Sequence, residues 1–142
     1  MYRYQTRVHL HDTDATGVIY FSQQLNLAMQ AFENFLRQGP FSLKDILASP
    51  YLLPIVHAEA DYLSPLTVDN ELDIVLYLHK MGTSSFTISY DFFYRTSSIL
   101  AGTAKITHVL TLKETKKSTP IPEELRGILK MLLAIEEGSL CE

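Results

Sequence analysis

The alternation of apolar and polar residues changes period several times along the chain, and each change marks an element. Residues 2–10 alternate loosely and predict a strand that runs into the polar cluster His11-Asp12-Thr13-Asp14. Beyond Gly17, residues Leu25, Ala28, Met29, Phe32, Phe35 and Leu36 recur at the spacing of one α-helical face, and Gly39-Pro40 closes that helix. Charge enters it only at Glu33 and Arg37, which predicts a helix wrapped on several sides rather than lying on a surface. Ser42 is placed to cap a short second helix over 42–47.

From Pro54 onward the period is two. Val56, Ala58, Ala60 and Tyr62 are predicted to share one strand face, with His57, Glu59 and Asp61 on the other. The alternation repeats over Leu72–Leu78, Phe86–Tyr94 and Leu100–Leu112, and Ser64-Pro65, Asp69-Asn70, Lys80-Met81-Gly82 and Thr96-Ser97-Ser98 supply the turns. Such short connections favour antiparallel pairing. Pro120-Ile121-Pro122-Glu123-Glu124 opens a last helix whose stripe is Leu125, Ile128, Leu129, Leu132 and Leu133. Strands and helices are segregated, so the expected class is α+β: an antiparallel sheet curled around the long helix, in one domain over 1–142. Val75, Tyr77, Phe93 and Val109 on the outward face, together with an open edge at the first strand, predict a homo-oligomer.

Charge narrows the partners. Lys and Arg number 12 against 16 Asp and Glu, a net −4 that argues against nucleic acid or an anionic membrane as partner. The uncharged stretch from Ala15 to Phe32 is interrupted by Ser22, Gln23, Gln24, Asn26 and Gln30, too polar to span a bilayer. Met1-Tyr2-Arg3-Tyr4-Gln5 has no apolar leader region, and the single cysteine, Cys141, can make no disulfide within the chain. The expected location is the cytoplasm.

The most unusual segment is His9-Leu10-His11-Asp12-Thr13-Asp14-Ala15-Thr16-Gly17-Val18-Ile19-Tyr20-Phe21, which joins a strand to the start of the central helix. Acids before a helix read first as capping groups in a loop. They read second as a carboxylate facing the free N–H groups of a helix terminus, with room for a carbonyl between, which suits acyl-group hydrolysis. His9 and His11 beside Asp12 and Asp14 also approach the His-x-His-x-Asp-His metal motif. Thr13 and Asp14 stand where that motif needs Asp and His, so neither a metal nor a cofactor is expected. Gly-x-Ser-x-Gly, P-loop and Rossmann patterns do not occur. His108 shares its parity with Ile106 and Leu110 and is expected among apolar neighbours, whereas His57 is expected at solvent or a subunit contact. Lys113-Glu114-Thr115-Lys116-Lys117 reads as a solvated strand end or as a holder of a phosphate group.

Asp12-Thr13-Asp14 with Gly17-Val18-Ile19-Tyr20-Phe21, a long helix and four strands resemble the hotdog-fold acyl-CoA thioesterases of the 4-hydroxybenzoyl-CoA thioesterase family. Leu53-Pro54-Ile55-Val56-His57-Ala58, Thr107-His108-Val109 and Lys116-Lys117 resemble, within it, the 1,4-dihydroxy-2-naphthoyl-CoA hydrolases of phylloquinone biosynthesis. The resemblance implies that Asp14, not Asp12, is the catalytic carboxylate, that the Phe21 N–H is the oxyanion donor, and that Gly17 admits the thioester closely. It implies an acyl-CoA substrate contacted by Tyr20 and His57, with Lys80, Lys116 and Lys117 (and Lys113) available to the CoA phosphates. It also implies sites at a dimer interface and dimers that pair into tetramers. Phe21 stands where short-chain relatives often carry His, which suits an aromatic acyl group. Gly82-Thr83-Ser84 replaces the basic hairpin of the hydroxybenzoyl branch. The expected alternatives are 4-hydroxybenzoyl-CoA or short-chain acyl-CoA hydrolysis, or a non-catalytic acyl-CoA-binding module.

Overall fold

The structure is a computed structural model and describes residues 1–133; Cys141 lies outside the described residues. Strand β1 (Tyr2–Arg7) is followed by a single 3₁₀ turn, Leu10–Asp12, and the long helix α1 (Gln23–Arg37). Helix α2 (Leu43–Ala48) and the two-residue strand β2 (Tyr51–Leu52) lead to the long strands β3 (Ile55–Tyr62), β4 (Glu71–Met81), β5 (Ser85–Tyr94) and β6 (Leu100–Val109). Strand β7 (Thr111–Leu112) pairs with β2, and helix α3 (Glu123–Lys130) follows. The five long strands form one antiparallel sheet in the order β1-β4-β5-β6-β3, with β1 and β3 as its edges.

Three local expectations are corrected. The first strand stops at Arg7 instead of residue 10, because Asp12 and Thr13 N–H groups turn back to the His9 and Leu10 carbonyls. The last long strand ends at Val109, and Leu110 N–H bonds to Ser84 O, so Thr111 and Leu112 leave the main sheet to pair with β2. The expected core face of β3 is not a core face in one chain: every residue of β3 except Ala60 is exposed.

Helix α1 lies against the concave face of the sheet, burying Gln24, Leu27, Ala28, Ala31, Phe32, Phe35 and Leu36. That stripe is rotated from the predicted one, since Leu25 and Met29 are only partly buried while Gln24 is fully covered. Phe86, Ile88, Tyr90 and Phe92 of β5 and Leu72, Ile74 and Leu76 of β4 supply the facing layer. Each such apolar side chain contributes on the order of 1.5–3 kcal/mol on burial. On the opposite face Val75 is also buried, while Tyr77, Phe93 and Val109 are half-buried.

His108 sits inside this core, stacked on Phe32 and Phe86 with ring centroids 5.3 and 5.1 Å away. Its Nδ1 lies 3.3 Å from Leu53 O, and its Nε2 has no partner among the described residues. Burial lowers its pKa, more strongly than the Leu53 carbonyl raises it. An unfolded chain therefore binds a proton there that the folded chain refuses. The His108 contribution to stability is complete above about pH 6.5 and is lost as the pH falls from there toward the depressed folded value. Denaturant midpoints at pH 7.5 and 5 are expected to diverge more in the wild type than in His108→Phe, where this proton uptake is absent.

Candidate active site

The acidic segment folds into a loop whose two aspartates have opposite environments. Asp12 is buried, 1% exposed, and both of its oxygens are engaged: Oδ2 accepts His9 N–H at 2.9 Å and Oδ1 accepts Gln23 Nε2 at 2.9 Å. It ties the loop to the first residue of α1. Asp14 is partly exposed, and among the described residues only its Oδ1 is engaged, by Thr16 N–H at 2.7 Å and the Thr16 hydroxyl at 2.5 Å. The Thr16 hydroxyl and then its N–H hold the Asp14 carboxyl below its ordinary pKa, against a smaller desolvation effect. Asp14 is thus an anion at neutral pH with Oδ2 uncommitted.

The loop reverses at Gly17. Gly17 N–H bonds back to Asp14 O at 3.1 Å, and its φ of +80° is a conformation that a side chain resists. Nothing lies within 4 Å of the place a Cβ would occupy, so glycine is required there by the backbone and not by crowding. Asp14 N–H to Val18 O, Ile19 N–H to Leu66 O and Tyr20 N–H to Asp12 O then fix the return strand of the loop. Tyr62 Oη donates to Phe21 O from the end of β3.

Helix α1 begins at Gln23 with Ser22 as N-cap, so Phe21 stands just ahead of it rather than inside its first turn. The Phe21 N–H has no acceptor among the described residues, while Phe21 as a whole is 79% exposed. Beside it Val18, Ile19, Phe21, Tyr62, Leu63 and Leu66 line a cavity of about 410 Å³, with Gln24 as one of its few polar walls. One loop therefore carries both a carboxylate oxygen and, at the positive end of a helix, an N–H with no acceptor among the described residues, and its Val18, Ile19 and Phe21 wall the apolar cavity.

The structure brings together Asp14, Gly17, Tyr20 and Phe21 and leaves the other expected site residues apart from them within one chain. His57 pairs with Thr107 on β6, five positions along from Gly102, which pairs with Tyr62 at the Phe21 end. At about 3.3 Å per residue this is roughly 17 Å. His57 is exposed, with Nε2 3.0 Å from Glu59 Oε1. Lys80 lies beside the β4 irregularity opposite Thr87. Lys116 takes a positive φ of 62° in the turn after β7, where its N–H bonds to Leu112 O. Lys117 follows it, and Lys113 Nζ donates to Leu47 O of α2. All of these basic groups share the far end of the sheet.

His9, His11 and Asp12 place one potential ligand atom each within 4.8 Å of one another. Asp14 is outside that group. Both Asp12 oxygens already accept hydrogen bonds, and nitrogens of the two imidazoles lie 3.7 and 3.5 Å from them. Gln24 is the residue that sequence patterning passed over. Its signal was legible: Gln24, Leu27, Ala28, Ala31 and Phe35 keep helical spacing, with one polar member in an apolar stripe.

An antiparallel sheet curled around a central helix, with an acidic loop leading into that helix, defines the hotdog class of α+β folds. The family model described as the Thioesterase-like superfamily matches residues 8–129, and the chain belongs to that family. A 1,4-dihydroxy-2-naphthoyl-CoA hydrolase from Microcystis aeruginosa is 32% identical over 138 residues, covering 96% of this chain and 99% of its own length. One of the same name from Picosynechococcus is 34% identical, covering 98% of this chain and 99% of its own. The solved structure of a 1,4-dihydroxy-2-naphthoyl-CoA thioesterase from Synechocystis superposes with a TM-score of 0.85 at 29% identity, over 89% of this chain and 93% of that one. Among the described residues no helix is long and apolar enough to cross a membrane.

Proposed function

We propose that the protein hydrolyses 1,4-dihydroxy-2-naphthoyl-CoA to 1,4-dihydroxy-2-naphthoate and CoA, the thioesterase step of phylloquinone biosynthesis. The observation that carries the reading is one loop holding the Asp14 carboxylate, with an oxygen uncommitted among the described residues, and the Phe21 N–H, with no acceptor among them, where Phe21 walls an apolar cavity of about 410 Å³. The names of the full-length relatives support the choice of acyl group.

In this reading the thioester carbonyl oxygen accepts the Phe21 N–H, and the dipole of α1 stabilises the negative charge that develops there. Asp14 Oδ2 attacks the carbonyl carbon to form a mixed anhydride, or takes a proton from the water that attacks. Either way the C–S bond breaks and CoA leaves as a thiolate, a good leaving group because thiol pKa values lie near 8.5; on the first route water then cleaves the anhydride, releasing the naphthoate and restoring the Asp14 carboxylate. No strong general acid is needed.

The basic residues reach this site from a second copy. A two-fold axis across the exposed β3 edge sets two β3 strands antiparallel, so that the Asp14 end of one chain adjoins the His57, Lys80, Lys116 and Lys117 end of the other. The CoA phosphates then meet lysines that no single chain brings near Asp14.

CoA release from 1,4-dihydroxy-2-naphthoyl-CoA, 4-hydroxybenzoyl-CoA and a short acyl-CoA tests the assignment. Preferential turnover of the naphthoyl thioester is expected. Preference for either of the others would reassign the substrate, and binding without turnover would make the protein an acyl-CoA-binding module.

A further inference from the structure

Gln24 is the one polar residue on the buried stripe of α1, and it is 1% exposed. Its Nε2 donates to Asp61 O of β3 at 3.0 Å and to Thr103 O of β6 at 2.8 Å. Both amide hydrogens are thereby used. Reversing the amide would set Oε1 against two carbonyl acceptors, so its orientation is fixed.

Space for the side chain exists because residue 102 is glycine. A Cβ there would lie 2.8 Å from both Nε2 and Oε1 of Gln24 and 3.0 Å from Asp61 O. What remains is Oε1, an acceptor with no donor from any described residue, on a side chain that lines the cavity beside Phe21. Leaving such an acceptor unsatisfied is costly, and the tether to the strands uses only the donor end of the amide. An acceptor held rigidly at an apolar cavity wall is suited to a hydroxyl donor on a bound ligand.

We propose that Gln24 Oε1 accepts a hydrogen bond from a ring hydroxyl of the aromatic acyl group, making Gln24 a specificity-determining residue for hydroxylated acyl-CoA thioesters. This rests on the thioesterase reading and on the acyl group occupying the cavity beside Phe21. A hydroxyl aimed at Oε1 completes the one open position of a buried amide. An unhydroxylated ring seated over Oε1 offers it no donor.

The test compares kcat/KM for 1,4-dihydroxy-2-naphthoyl-CoA and for 2-naphthoyl-CoA in the wild type and in Gln24→Met, which keeps the length and removes the amide. The two thioesters differ in intrinsic reactivity, but that difference cancels when their ratio is compared between the two proteins. The preference for the hydroxylated substrate is expected to fall about tenfold in the variant. A loss of equal size for both substrates would overturn the proposal, because a residue that only tethers α1 to β3 and β6 affects every substrate alike. Inhibition of the wild type needs no variant to fold. 1-Hydroxy-2-naphthoate or 4-hydroxy-2-naphthoate is expected to inhibit several-fold more strongly than 2-naphthoate, and equal inhibition by all three would overturn the proposal. Absence of turnover with any thioester would remove the thioesterase reading and this assignment together; turnover with an unchanged ratio would remove this assignment alone.

Discussion

Asp14→Asn is expected to lower kcat by about 10²–10⁴ with little change in folding stability, the usual span for loss of a positioned acid–base group. The substitution isolates the chemistry because an asparagine Oδ1 still accepts from Thr16 N–H and from its hydroxyl, the two bonds that shape the turn. Only the free oxygen changes, from an anionic acceptor to an amide nitrogen that is neither nucleophile nor base. Asp12→Asn is the contrasting control. There one of two buried acceptors becomes a donor facing His9 N–H or Gln23 Nε2, so the loss appears in stability, at about 1–3 kcal/mol. The pH profile separates the two residues further. If Asp14 acts as the anion, as proposed, activity is expected to fall as the pH drops through its lowered pKa, with the acid limb below the ordinary carboxylate position. Thr16→Val removes the bond that lowers that pKa most, and moves the limb to higher pH. Full turnover in Asp14→Asn would discard the site while leaving the fold assignment untouched.

The division between the two aspartates illustrates what a sequence carries. Period and turn chemistry were enough to give the α+β order, the central helix and the antiparallel sheet, because each depends on where apolar groups must go. Loop acids depend on something else. Asp12 and Asp14 are two residues apart and chemically identical, and their roles diverge only because the 3₁₀ turn at Leu10–Asp12 carries one carboxylate under the helix start and leaves the other beside solvent. The resemblance to known thioesterases pointed to Asp14, and the free oxygen gives that choice a physical basis. The buried stripe of α1 was legible in part. Leu25 and Met29 fit an apolar pattern as well as Leu27 and Ala31 do, so which flank turns inward is set by the curl of the sheet, not by the helix. The far-end lysines could not be placed by pattern at all, because their distance from Asp14 follows from strand register.

The edge of the sheet carries the last expected result. Introducing lysines at Val56 and Ala58 is expected to yield a folded monomer whose thioesterase turnover is reduced by about 10² or more. Val56 and Ala58 are exposed in the single chain, so the charges meet no core when the protein folds. In a pair of antiparallel β3 strands the same charges approach their own symmetry mates across the two-fold axis, and like charges at paired positions oppose association. Sedimentation velocity reads the mass and circular dichroism reads the fold. The activity loss has a specific origin. Each chain holds its own Asp14, Phe21 N–H and cavity, so the monomer retains the groups proposed to act on the thioester. It lacks the lysines that, in the proposed dimer, a second copy carries to that end of the sheet. The defect should therefore appear chiefly as a raised KM for the CoA ester, with a smaller change for a thioester of a short neutral thiol that has no phosphates to hold. A monomer with undiminished kcat/KM for the CoA ester would show that one chain suffices. Lys80, Lys116 and Lys117 would then have no part in binding, and the edge of β3 would be free for another use.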